Sequence, residues 1–169
     1  MNTKPVHQNP NNRMSGSLVF FFAILIMPFL LIAGCSKEQP EEQQALHIDA
    51  LNQSSIVQLI VTDYQQLSNQ MLERYQSYKR INDIDGFILY RNSQWTPAYM
   101  EKKEQYQRLL HQQKAYIYRH QLDGLFDRFM NLQKLALHLK HSLQDSDPEL
   151  ERQAMKRFDE DKQAVALYL

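Results

Sequence analysis

Cysteine is nearly missing from this 169-residue chain: Cys35 is the only one. No intrachain disulfide is possible, so the fold has to be held by packing alone, even in an oxidising compartment. Glycine and proline are scarce too. After Cys35 only Gly86, Gly124, Pro40, Pro97 and Pro148 remain. Valine and threonine are few and glutamine is abundant, a composition that favours helix over strand. Charge of one sign is also lacking: 19 Lys and Arg face 19 Asp and Glu. Nothing in that balance argues for nucleic acid or an anionic lipid surface as a partner. Glycine-rich phosphate loops, Gly-x-Ser-x-Gly elbows and paired zinc cysteines are absent. There is no internal repeat.

One long hydrophobic run is present. Leu18 to Ile32 reads LVFFFAILIMPFLLI and follows a polar stretch that carries Lys4 and Arg13 and no acidic residue. A positive start, an apolar middle and then small residues is the layout of a secretory signal. The run ends in Leu31-Ile32-Ala33-Gly34-Cys35, followed by Ser36 and the polar residues up to Gln44. This stretch resembles the lipobox of bacterial lipoproteins: an aliphatic residue, a small residue, Gly, then Cys. The resemblance covers about the first 36 residues. It implies a diacylglycerol thioether on Cys35, cleavage before Cys35 and acylation, palmitate among the acyl groups, of the new amino group. Ser36 in place of Asp implies an outer-membrane protein facing the periplasm. A cysteine suits this chemistry because its thiolate is the nucleophile. The alternative is an uncleaved anchor, for which the run is short against the roughly 20 residues of a bilayer span. Three segments are therefore expected: a signal peptide over 1–34, a lipidated cysteine and flexible tether over 35–45, and a helical domain over 46–169. Loss of Lys4 and Arg13 would leave the mature chain slightly acidic.

The remainder predicts an all-α fold, an elongated antiparallel bundle or hairpin of three to four helices. A first helix is expected from Leu46 to Arg80, with a seam at Val57, Ile60, Tyr64, Leu67, Met71, Arg74, Tyr78 and Ile81, spaced by threes and fours. Residues 81–95 read as a long connection with an apolar plug at Phe87 to Tyr90. A second helix is expected to open at Thr96-Pro97, Thr as N-cap and Pro at the first position, and to run to Gln144. Its first half aligns Tyr99, Tyr106, Leu110 and Ile117. Its second half aligns Leu122, Leu125, Phe129, Leu132, Ala136, Leu139 and Leu143, about one residue out of phase. A kink is expected at Asp123-Gly124. Asp147 and Pro148 then start a third helix bearing Met155, Phe158, Val165 and Leu169. Seams of this length also permit pairing between chains.

Chemical signals are few. His138 and His141 stand three apart with Asp145 one turn on, a spacing that can present two imidazoles and a carboxylate on one face; ordinary surface histidines are the simpler reading. His120 and Asp123 can pair for proton transfer, but a surface His is the simpler reading here as well. The tyrosines Tyr75, Tyr78, Tyr99, Tyr106, Tyr116 and Tyr118, the last two beside Arg119, suit either a core edge or a protein interface. The terminus AVALYL suits either a packed last turn or capture as a strand. These residues imply no catalytic set, no cofactor and no metal. The expected function is a membrane-anchored, non-enzymatic protein-interaction or scaffolding module of the cell envelope. Its expected contacts are the membrane, through the lipid on Cys35, and an envelope protein or a second copy. A small inhibitory or ligand-binding module is the alternative.

Overall fold

The computed structural model describes residues 46–169. The signal segment, Cys35 and the tether lie outside the described residues. The described residues are helical, with α1 (Gln53–Arg80), α2 (Ile84–Tyr90), a π-helical turn (Arg91–Trp95), α3 (Thr96–Gln112), α4 (Lys114–Arg119), α5 (Asp123–Gln144) and α6 (Pro148–Ala166). Tyr116 Oη reaches Gln53 at 2.8 Å, Trp95 Nε1 reaches the Leu67 carbonyl at 2.9 Å, and Tyr75 meets Ser142 at 3.1 Å. Lys79 pairs with Glu151 across the same bundle. The four arms α1, α2–α3, α5 and α6 thus alternate in direction as an antiparallel four-helix bundle. Residue 46, α4 and the last residues of the chain lie at one end, the near end. The turns after α1 and α5 lie at the far end. At 1.5 Å per residue α1 is about 42 Å long.

The chain turns without glycine. Asn82, Gln121 and Ser146 have φ of 55°, 55° and 52°, and each directly follows the C-cap of α1, α4 or α5. In each case the next N–H returns five residues: Asp83 to Tyr78, Leu122 to Ile117 and Asp147 to Ser142. Together with the bonds Asn82 to Lys79, Gln121 to Tyr118 and Ser146 to Leu143, these are Schellman stops with non-glycine residues in the left-handed position. Two of the following helices, α2 and α6, are then started by a side-chain cap. Asp83 accepts from the Gly86 N–H, and Asp147 accepts from Glu149 and Leu150, as its sequence position predicts.

Five expectations need correction. α1 starts at Gln53, not Leu46, because Asp49 and Asn52 bond each other's backbone and hold a turn. Its seam passes from Met71 to buried Tyr75, leaving Arg74 exposed over the Tyr90 ring. Residues 84–95 are helix rather than a connection, although Phe87 and Tyr90 are buried as the plug reading requires. Thr96 is helical and caps nothing; the arm is continuous through it. The reason lies in spacing. Tyr90 and Trp95, both buried, are five apart, too many for one α-turn, and the Thr96 N–H bonds the Arg91 carbonyl five residues back. Pro97 has no N–H for the ladder, and the wide turn sits just before it. Finally, the second arm breaks at Gln113 and at Gln121-Leu122 rather than at Gly124, which lies in the first turn of α5. A Cβ there would stand 2.7 Å from Tyr168 Oη.

The core is rich in stacked rings. Trp95 stacks on Tyr99 at 5.1 Å and Tyr99 on Phe129 at 5.8 Å, and Tyr106 meets Phe129 edge-on at 4.8 Å. The α5 seam packs as expected from Leu122 to Leu139 and is widened by Phe126 and Leu135; Leu143 is only partly buried. Phe158 and Val165 seat α6, with Met155 at the edge and Leu169 exposed.

Candidate functional site

The histidine pair does not converge. His138 faces a groove of about 430 Å³ between α5 and α6, lined also by Asn131, Lys134, Gln153, Arg157 and Asp161. His141 instead approaches Asp145 along its own helix at 3.8 Å, both well exposed. Among the described residues no three of His, Cys, Asp and Glu come together as a metal site. His120 stacks on Tyr116 at 4.2 Å, whereas Asp123 belongs to the first turn of α5. The tyrosines divide: Tyr75, Tyr99 and Tyr106 are core, Tyr78 and Tyr116 are half-buried, and Tyr118 is exposed. In the last segment Val165 is buried and Tyr168 covers Gly124, so AVALYL is a helix end packed on one side, with Leu167 and Leu169 exposed.

Two buried polar nodes went unnoticed in the sequence. Asp63 accepts a 2.5 Å hydrogen bond from Tyr106 Oη and pairs with Lys102 at 3.2 Å. Burial first, then this carboxylate, pushes the Tyr106 hydroxyl up. Asp161, also buried, pairs with Arg157 at 3.2 Å and Arg128 at 3.6 Å, close to a Tyr64 hydroxyl that burial pushes up. Tyr64 Oη is buried and has no hydrogen-bond partner. The signal was available. Asp63 lies three after Ile60 and four before Leu67, and Asp161 three after Phe158 and four before Val165: both are carboxylates at seam positions. Both nodes join helices, and their cations reach solvent.

The exposed apolar side chains gather at the ends. Toward the far end Ile81, on the turn after α1, and Leu89, on α2, are 68% and 67% exposed; the turns of this end also carry the exposed residues Arg80, Asp83, Asp85, Asp145 and Asp147. Glu149, in the first turn of α6, is held down at about 2 by hydrogen bonds from Arg152 and then Gln153. At the near end Leu51, Tyr118 and Leu167 are exposed around a depression of about 380 Å³ lined by Ala50, Tyr116, His120 and Tyr168. What these features can do is bind: two apolar ends of different charge and one polar groove. Comparison with protein-family models, with curated proteins and with solved structures gave no match.

Proposed function

We propose that this chain is a lipid-anchored, non-enzymatic module of the bacterial cell envelope that presents the far end of its bundle to a protein partner. The lipobox-like Ile32-Ala33-Gly34-Cys35 supports anchoring at Cys35, and Ser36 supports the outer membrane, facing the periplasm. The observation that carries the interaction reading is the far end. There, exposed aliphatic side chains, Ile81 on the turn and Leu89 on α2, occur together with the exposed carboxylates of the two turns. A partner that fits this end offers an apolar anchor surrounded by basic residues. A ligand-binding role is the second reading, favoured by the groove of Lys134, His138 and Arg157.

The test is photocrosslinking in cells from position 89, with position 137 on the side of α5 as control, in lipidated protein and in Cys35→Ser. One dominant envelope protein captured from 89 alone, and lost or weakened without the anchor, is the expected result. Equal, unspecific capture from both positions would overturn the partner reading.

A further inference from the structure

We infer that the near end of the bundle docks on the phospholipid surface that carries the anchor; this rests on the anchoring of Cys35 proposed above. The first support is where the chain leaves the domain. Ile48 is buried, Asn52 Nδ2 holds the His47 carbonyl at 2.8 Å, and the His47 ring lies 2.9 Å from Gln113 Nε2 in the turn between α3 and α4. Leu46 therefore departs from the near end, fixed to it on two sides. From Cys35 to Leu46 the covalent chain spans about 40 Å at most. That is no more than the length of the bundle itself. The near end is the part of the domain held closest to the bilayer along the chain.

The second support is what this end presents. Leu51 is 98% exposed, Leu167 86% and Tyr118 54%. From Gln105 to Leu122 there is no acidic residue, while Arg108, Lys114 and Arg119 are all present and exposed. Lys114 Nζ lies 5.6 Å over the Tyr118 ring. Aliphatic tips, a tyrosine and long basic side chains side by side suit the headgroup layer, where rings sit at the boundary and Lys and Arg reach outward to phosphate. The facing carboxylates are Asp49 and Asp123. Asp49 is engaged by the backbone of its own turn and by His47. Overall neutrality conceals this asymmetry: Asp83, Asp85, Asp145 and Asp147 all lie on the turns of the far end.

The experiment uses the full lipidated chain in vesicles of phosphatidylethanolamine and phosphatidylglycerol. A polarity-sensitive dye is placed on a single introduced cysteine, L51C, Y118C or L89C. Flotation with the vesicles reads anchoring, and quenching by nitroxide headgroup lipids reads docking. Strong quenching at 51 and 118 with none at 89 is expected. Lys114→Glu with Arg119→Glu should lower the docked fraction about tenfold or more, while flotation is unchanged. Flotation with dyes at 51 and 118 as unquenched as at 89 overturns docking and leaves anchoring intact. Failure to float overturns both. Dyes silent in vesicles but shielded in native envelopes assign the near end to a protein partner and likewise overturn the lipid proposal.

Discussion

Replacing Tyr106 by phenylalanine removes one oxygen and is expected to cost far more than a surface change. The hydroxyl donates to Asp63 Oδ2 at 2.5 Å, with both groups buried. The ring's edge-on contacts with Phe126 and Phe129 survive in phenylalanine, so packing changes little. What is lost is a hydrogen bond to a charged acceptor, which contributes about 1.5–3 kcal/mol. Asp63 keeps Lys102 at 3.2 Å, but that amine is partly solvated and its pull is screened, so it offsets little. For a domain of this size the loss lowers the melting midpoint by roughly 5–12 °C. The assay is urea unfolding followed by far-ultraviolet circular dichroism, run as a double-mutant cycle with Asp63→Ala. Coupling of at least about 1 kcal/mol is expected between neighbours in one network. Coupling below about 0.5 kcal/mol would refute the assignment of this bond as a stabilising link between α1 and α3.

Alkali should unfold the bundle. Burial pushes the Tyr75 and Tyr99 hydroxyls up to about 12, against about 10 in an unfolded chain. Their folded pKa is raised, so this stabilisation is complete below pH 10 and disappears as pH rises from 10 through 12. Tyrosinate absorbance should therefore rise together with loss of helical signal; ionisation of every tyrosine near pH 10 with the helix intact would contradict it. At the Asp161 node, the double change Arg128→Ala, Arg157→Ala strands a buried carboxylate and should cost about 3–5 kcal/mol. Asp161→Asn should cost clearly less, because Arg157 is mostly exposed and Arg128 keeps its hydrogen bond to the Gly124 carbonyl, and the reverse order in chemical denaturation would disprove the account. Gly86→Ala places a Cβ 2.2 Å from Asp83 Oδ2 and displaces the cap of α2. A loss of about 1 kcal/mol is expected despite alanine's better helix propensity, and a gain in thermal stability would count against it. Gln121→Gly relieves a left-handed residue at φ 55° and should stabilise by up to about 1 kcal/mol; a loss in the same measurement would show that the Gln121 side chain contributes to the turn.

By itself the sequence determined the helical class, the α5 seam and the Asp147-Pro148 helix start. Each depends on spacing or capping within a few residues, and such interactions are encoded locally. It misplaced the stretch from Ile81 to Trp95 because a step of five between Tyr90 and Trp95 breaks the α-helical period, and only packing against α1 and α5 stabilises the wide turn. It offered Arg74 for the core where Tyr75 goes, since one residue of phase is decided by the neighbouring helices. The candidate sites were the least legible. His138 and His141 share a helix, but the packing of α6 turns one toward a groove and leaves the other at the surface. Of the tyrosines that looked like an interface, Tyr75, Tyr99 and Tyr106 became the core, Tyr78 and Tyr116 lie at its edge, and Tyr118 stays exposed. The division of charge and apolar side chains between the two ends of the bundle exists only after antiparallel folding, which brings Leu51, Tyr118 and Leu167 to one end from three distant parts of the chain.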